Sequence, residues 1–381
     1  MLGLFKQLQD FLKFDQVWID NNIFRLHYKG TVIVFVLASL LVTSRQYIGD
    51  PIDCMVDGIP GGIMDTYCWI HSTFSIPTRW KIEQGKDAPH PGVAPLADME
   101  EGEEVKHHAY YQWVCFFLFF EAILFYVPRY LWKTSEGGKI KMLVQDLMEP
   151  IINEDSKQSQ IDTIVKYFRE TRGTHALYAF RYFACEVLNF VNIILQIYFI
   201  DFFLGFEFST YGLDVLSFSE MEPESRGDPM HIVFPKVTKC TFNKYGPSGT
   251  IEPKDGLCVL PLNIINEKMF IFIWFWLVIV AIVTGIFLLY RIAVLLGPQI
   301  RVALITVKGS KSTKRSDVEA ILDPASLSFA EKLGDWLVLY FVCKNLDALA
   351  VNDLIRHIHK SEAGDNSNTE TLKMKPQSSQ V

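Results

Sequence analysis

The chain has 381 residues, a formal charge of −7, and 50% of its residues in the apolar set, with 14% of the chain aromatic. A soluble domain reaches about 45–50% apolar only when glycine is counted, and here 23 glycines stand outside that half, which argues against an ordinary soluble enzyme. Charged residues at 21% exclude a mostly disordered chain.

The apolar residues are concentrated in four blocks. Before the first, residues 1–28 carry Leu4, Phe5, Leu8, Phe11 and Leu12 at near-helical spacing among Lys6, Asp10 and Lys13. This predicts an amphipathic helix that lies on a membrane or folds into a pore mouth. The length of this stretch argues against a secretory leader, and Leu2 argues against N-myristoylation. A membrane-crossing helix needs about 20 mostly apolar residues. The first block, 29–48, is short by that measure, because Arg45 and Gln46 follow the uncharged run from Gly30 to Ser44. The second, 110–132, contains Glu121 and Arg129; the third, 183–206, contains Glu186 and Asp201; the fourth, 269–291, has no charge from Met269 to Tyr290. Intramembrane charges are costly and face protein or water. Glu121 and Glu186 are therefore expected to pair between helices, for instance with Arg181 or Arg45, or to line a pore, and Asp201 to sit exposed at the interface. Pro128 lacks an N–H, so it should break the helix bond to Leu124 and kink the second span.

Lys and Arg cluster at one end of each block: Arg25 and Lys29, then Lys133, Lys139 and Lys141, then Lys166, Arg169, Arg172 and Arg181, then Arg291, Arg301, Lys308 and Lys311. By the positive-inside rule both termini and the 133–182 connection are cytosolic, and loops 49–109 and 207–268 are extracellular. Counted from residue 46, the first outer loop carries −7 and the second −3, leaving +3 for the rest of the chain. That distribution gives no support for nucleic-acid binding and predicts mild enrichment of cations at an outer vestibule. Residues 292–360 are read as a helical cytosolic region. Ser316-Asp-Val-Glu319 and Ser328-Phe-Ala-Glu331 fit capping boxes, and the eight-residue apolar run Trp336 to Cys343 is core rather than a fifth span. The Ser/Asn/Lys-rich tail, 361–381, is predicted to be disordered. It ends Ser379-Gln380-Val381, a pattern that fits strand addition to a PDZ domain.

Of the seven cysteines, Cys54 and Cys68 lie in one outer loop and Cys240 and Cys258 in the other. Four cysteines on the oxidising side form a disulfide framework with three possible connectivities. Cys115 and Cys185 read as packing residues. Neither outer loop contains an Asn-x-Ser/Thr sequon, consistent with a bare cap that meets another protein surface. Nucleotide, hydrolase and zinc-protease motifs are absent from the sequence. His107-His108 and His357/His359 lack a third ligand at useful spacing and read as solvated. The chain is therefore expected to have no enzymatic activity, cofactor or metal site.

Tyr110-Tyr111-Gln112-Trp113-Val114 resembles the signature of the innexins, the invertebrate gap-junction proteins. The resemblance continues through Phe125-Tyr-Val-Pro128 to Leu131-Trp132-Lys133, and includes Asp20-Asn21-Asn22, His27-Tyr28-Lys29, Ser44 through Cys54, and Asp65-Thr-Tyr-Cys-Trp69. It covers roughly residues 1–360, with the insect branch most similar. It implies an all-α membrane protein: a four-helix bundle with a disulfide-stapled extracellular cap and a helical cytoplasmic domain. It further implies plasma-membrane rings of like subunits, alone or mixed with paralogues, with eight the expected number. Rings on neighbouring cells would dock to pass ions and small molecules. By the same resemblance Cys54 pairs with Cys258 and Cys68 with Cys240, and Leu2, Phe5, Lys6, Gln9 and Lys13 stand at the pore entrance. An undocked hemichannel and a junctional adhesion or scaffold protein are the alternative functions.

Overall fold

The computed structural model describes residues 17–80, 90–94, 103–147, 154–220, 229–324 and 326–373. Among the described residues four helices are long and apolar enough to cross a membrane: α1 (Asn22–Ile48), α3 (Val114–Glu136), α6 (Ala176–Phe203) and α9 (Pro261–Leu296). Four such helices fit a multi-pass helical membrane protein. Asn21 caps α1, its side chain accepting from the Phe24 N–H at 2.7 Å. Within α1, Leu26–Thr31 winds as a π-helix, a local expansion that often marks functional positions. The chain divides into two compact units, and each long helix contributes residues to both.

The first unit comprises Gly30–Tyr126 and Val191–Ile282. Between its helical segments, β1 (Asp53–Met55), α2 (Gly61–His71), β2 (Thr73–Ser75) and β3 (Lys106–His108) come from the first loop. The second loop supplies α7 (Phe208–Glu220), α8 (Pro229–Val233), β4 (Val237–Tyr245) and β5 (Ile251–Val259). The strands form one antiparallel sheet in the order β1-β5-β4-β2-β3, an element that the loop sequences alone left unspecified. Its centre is the β4–β5 hairpin, paired from Val237↔Val259 to Tyr245↔Ile251. β4 is rich in β-branched and aromatic residues, and Gly249 takes φ +74° in the turn that joins the two strands.

Helix packing in this unit relies on aromatic contacts and on side chains that satisfy backbone groups. Phe117 stacks on Phe203 with centroids 4.2 Å apart, and Phe35 on Phe125 at 5.4 Å. A Cβ at Gly212 would lie 2.1 Å from the Trp274 ring, so α7 reaches α9 only because residue 212 has no side chain. Of the intramembrane acids in this unit, Glu121 is buried against a neighbouring helix, as the pairing expectation has it, whereas Asp201 departs from its expected exposure. Glu121 is buried beside the side-chain amide of Gln196, which itself donates to Asn192 Oδ1 at 2.9 Å. Asp201, expected to be exposed, is 8% accessible and its Oδ1 accepts from the backbone N–H groups of Phe208 and Ser209, both at 2.8 Å. It thus satisfies donors at the start of α7.

Helix α3 continues through Pro128, whose missing N–H leaves the Leu124 carbonyl without its ladder donor. The Asn192 amide donates to that carbonyl at 3.2 Å. Asn192→Leu should therefore cost about 0.6–1.7 kcal/mol, the range of interhelical hydrogen bonds in membranes, and almost nothing in a Pro128→Ala background. Thermal midpoints of the four variants in nanodiscs measure this coupling; equal costs in both backgrounds would remove the link.

The second unit comprises Met1–Lys29, Val127–Phe190 and Val283–Val381. Its further elements are α4 (Lys139–Val144), α5 (Glu154–Glu170), α10 (Pro298–Thr306), α11 (Arg315–Leu322), α12 (Phe329–Asn345) and α13 (Ala348–Lys373). Ser328 and Glu331 form the capping box of α12, whose residues from Trp336 to Cys343 are almost all buried. At Ser316 the expected box is absent: α11 begins two residues earlier than that box requires, Lys314 occupies the N-cap, and Ser316 bonds Asp317 instead. The last helix runs to Lys373, past the point where composition predicts disorder; no proline interrupts it before Pro376.

Candidate functional site

Helix α2 carries Cys68 and lies between two short strands of the cap sheet. Its start is fixed to β1 because Asp65 accepts from the Cys54 N–H at 2.6 Å. A disulfide joins Cys54 to Cys258 across the β1–β5 register, and a second joins Cys68 to Cys240 on β4. The sulfurs of Cys54, Cys68 and Cys258 lie within 4.8 Å of one another. They are bonded disulfide sulfurs rather than thiolates, so the cluster is two adjacent staples and not a metal centre. Each bridge links the first loop to the second.

The Tyr110–Val114 segment anchors this stapled helix. Tyr111, fully buried, donates its hydroxyl to the Cys68 carbonyl at 3.1 Å and packs its ring 4.9 Å from Trp69. The Gln112 amide donates to the Trp69 carbonyl, and the Tyr110 hydroxyl to that of Val233 at 3.2 Å. Val114 is buried and Trp113 exposed. Tyr111→Phe leaves the Cys68 carbonyl its bond from the Ser72 N–H, so the expected loss is about 0.5–1.5 kcal/mol. Thermal unfolding of the two proteins tests this, and a larger loss would assign the hydroxyl a further role.

Beside this segment, His108 is buried rather than solvated and shares a 2.8 Å hydrogen bond with Ser75. Burial, with Lys106 nearby, pushes its imidazole down to about 3. A depressed imidazole favours the fold while neutral, so its contribution is present above the ordinary value of 6.5 and declines as pH falls from there toward 3. At the sheet surface Lys239 meets Asp255 at 2.8 Å, and Thr241 donates to the same carboxylate at 2.7 Å. Burial raises the Asp255 carboxyl, but these two hydrogen bonds outweigh it and hold the group below its ordinary value.

The second unit contains a different constellation, of buried charges. Asp20 is fully buried and accepts from Arg25 Nε at 2.7 Å, from an Arg129 guanidinium nitrogen at 2.9 Å and from the Tyr28 hydroxyl at 3.0 Å. Lys344 donates to the Asp20 carbonyl at 2.7 Å, and Asn345 brackets the Trp18 backbone. Nearby, Glu186 takes a two-pronged contact from Arg291 at 2.8 and 2.6 Å and a hydrogen bond from Asn21 at 2.6 Å. The partner of Glu186 is therefore Arg291, not Arg181 or Arg45. A guanidinium can present two parallel donors to a carboxylate, and the pair shields both charges from lipid. Neither Asp20 nor Arg291 stood out as a site residue in the sequence, although their charges flank apolar blocks. Leu2, Phe5, Lys6, Gln9 and Lys13, like Ser379 and Val381, lie outside the described residues.

The family model for Innexin matches residues 20–361. Innexin inx2 of Drosophila melanogaster is 55% identical over 365 residues, covering 96% of this chain and 97% of the relative. Innexin inx2 of Schistocerca americana is 55% identical over 364 residues, with coverage of 96% and 99%. Drosophila Innexin shaking-B is 40% identical over 359 residues, 94% of each chain. The chain belongs to the innexin family, of the insect type, whose members form oligomeric gap-junction channels in the plasma membrane.

Proposed function

We propose that this chain is the subunit of an intercellular channel in which two rings dock through the disulfide-stapled cap. Both termini would be cytosolic and the two cap loops extracellular, as the Lys and Arg distribution favours. A wide aqueous path needs several subunits around an axis, since the centre of a single helix bundle is packed; eight is the number the family resemblance suggests. Lipid would surround the ring, paralogues could share it, and a PDZ protein could engage Val381.

The observation that carries the docking reading is the covalent union of the two loops in one sheet. Docking surfaces bind tightly when they are rigid before contact, and two adjacent bridges hold the β4–β5 hairpin to β1 and to α2. The hairpin exposes Tyr245 and Ile251 on either side of its turn, and α2 exposes Ile63 and Ile70. Such apolar residues within an acidic surface suit contact between two like-charged rings.

Dye transfer between paired expressing cells, read beside dye uptake by single cells, tests the proposal. Transfer is the expected result. Uptake without transfer would replace docking by an undocked hemichannel, and neither would leave an adhesion or scaffold role.

A further inference from the structure

The second unit contains a cavity of about 450 Å³, within the size range of small-molecule sites. Its apolar walls come from four helices: Val165 and Phe168 on α5, Ile321 and Leu322 at the end of α11, Leu339 on α12 and Ile358 on α13. Arg169 and Arg172 also line it, one helical turn apart where α5 gives way to the next turn. Among the described residues of the lining the one acid is Asp335, and both its oxygens are engaged: one accepts from the Gly173 N–H at 2.9 Å and the other faces His175 Nδ1 at 2.8 Å. The cavity therefore combines an apolar floor with a cationic edge, and its acid is turned toward the protein.

We infer that this cavity binds an amphipathic anion, a short alkyl chain carrying a phosphate or carboxylate head. The chain would fill the space between Phe168, Leu339 and Ile358, where burial of each methylene contributes about 0.8 kcal/mol. The head would meet Arg169 and Arg172 in charge-assisted hydrogen bonds. The same chemistry can arrive as a free alkyl phosphate from solution or as the head and chain of an anionic lipid from the bilayer. The site does not depend on the channel proposal, since binding is read on the chain itself.

The test uses the full chain in phosphatidylcholine nanodiscs and maps photocrosslinks by mass spectrometry. One arm adds a diazirine-bearing octyl phosphate to solution; the other incorporates a diazirine-bearing phosphatidic acid into the bilayer. Crosslinks at 165–172, 320–324 or 339 in the first arm identify a soluble ligand, and in the second a lipid. Either result supports the site. The matching diazirine octanol, which lacks the charge, should label these segments about tenfold less, as expected for loss of about 1.4 kcal/mol. Ala320 and Arg169 are exposed, so Ala320→Phe, which narrows the cavity, and Arg169→Glu, which reverses its edge, should preserve the fold. Each should lower labelling by a similar factor. No labelling of the lining in either arm would overturn the inference. So would equal labelling by octanol, unchanged labelling in both variants, or crosslinks showing the space filled by another part of the chain.

Discussion

Cys54→Ser and Cys258→Ser should each abolish cell-to-cell dye transfer while the subunit still reaches the cell surface. The reason lies in the sheet register. β1 is three residues long and pairs only with β5, with Cys54 directly opposite Cys258. Three residues of ladder hold an edge strand weakly, so the bridge is the main tie of β1 to the hairpin. Removing a native disulfide from a small extracellular fold typically costs about 2–5 kcal/mol. The remaining Cys68–Cys240 bridge and the Tyr111 anchor still tie α2 to its surroundings, so the cap should loosen rather than unfold, and the spans should be unaffected. Surface biotinylation within about twofold of the native level, with dye transfer at background, is the expected pair of results, since a loss of this size acts on the cap alone. Cys115→Ser, at a buried free thiol, is the control and should couple normally. Full coupling in either bridge variant would remove the staple from the docking mechanism.

The spans were legible because bilayer thickness demands a long, mostly apolar run, and four such runs occur in the sequence, although only the fourth is free of charge. Less legible was anything that depends on which groups meet in space. The cap sheet rests on strands of three residues that carry no measurable alternation, and on one hairpin whose β5 contains Glu252, Pro253, Lys254 and Asp255, poor strand formers when read alone. Pairing with β4 overrides that preference. Asp201 shows the same limit: near a span end, exposure is its cheapest state in isolation, but the N–H groups at the start of α7 supply a better one. His108 reads as half of a solvated pair until β3 places it beside Ser75. Pro128 could be read as a break, whereas its compensation by Asn192 depends on the packing of two helices distant in sequence.

Asp20→Ala should be the most damaging single substitution in the second unit. The carboxylate is fully buried and meets two guanidiniums, Arg25 and Arg129, that are themselves at most 9% exposed. Arg25 also lies over the Trp18 ring at 3.5 Å and Arg129 over the Tyr28 ring at 4.8 Å, so neither can reach water without giving up a cation–π contact. Breaking a buried pair by removing one member costs about 3–5 kcal/mol, mainly because the opposite charge stays behind; here two cations lose the same carboxylate. Asp20→Asn keeps the shape and one acceptor but loses the charge, so its loss should be intermediate. The sharper comparison removes charge in a balanced way. At the neighbouring Glu186–Arg291 pair, Arg291→Met alone strands the carboxylate, whereas Glu186→Met with Arg291→Met leaves no charge and should recover most of the stability. Thermal midpoints in nanodiscs and the fraction reaching the cell surface measure both sets. An Asp20→Ala protein with an unchanged midpoint would mean that the two arginines find other acceptors, and that Asp20 does not organise the start of α1.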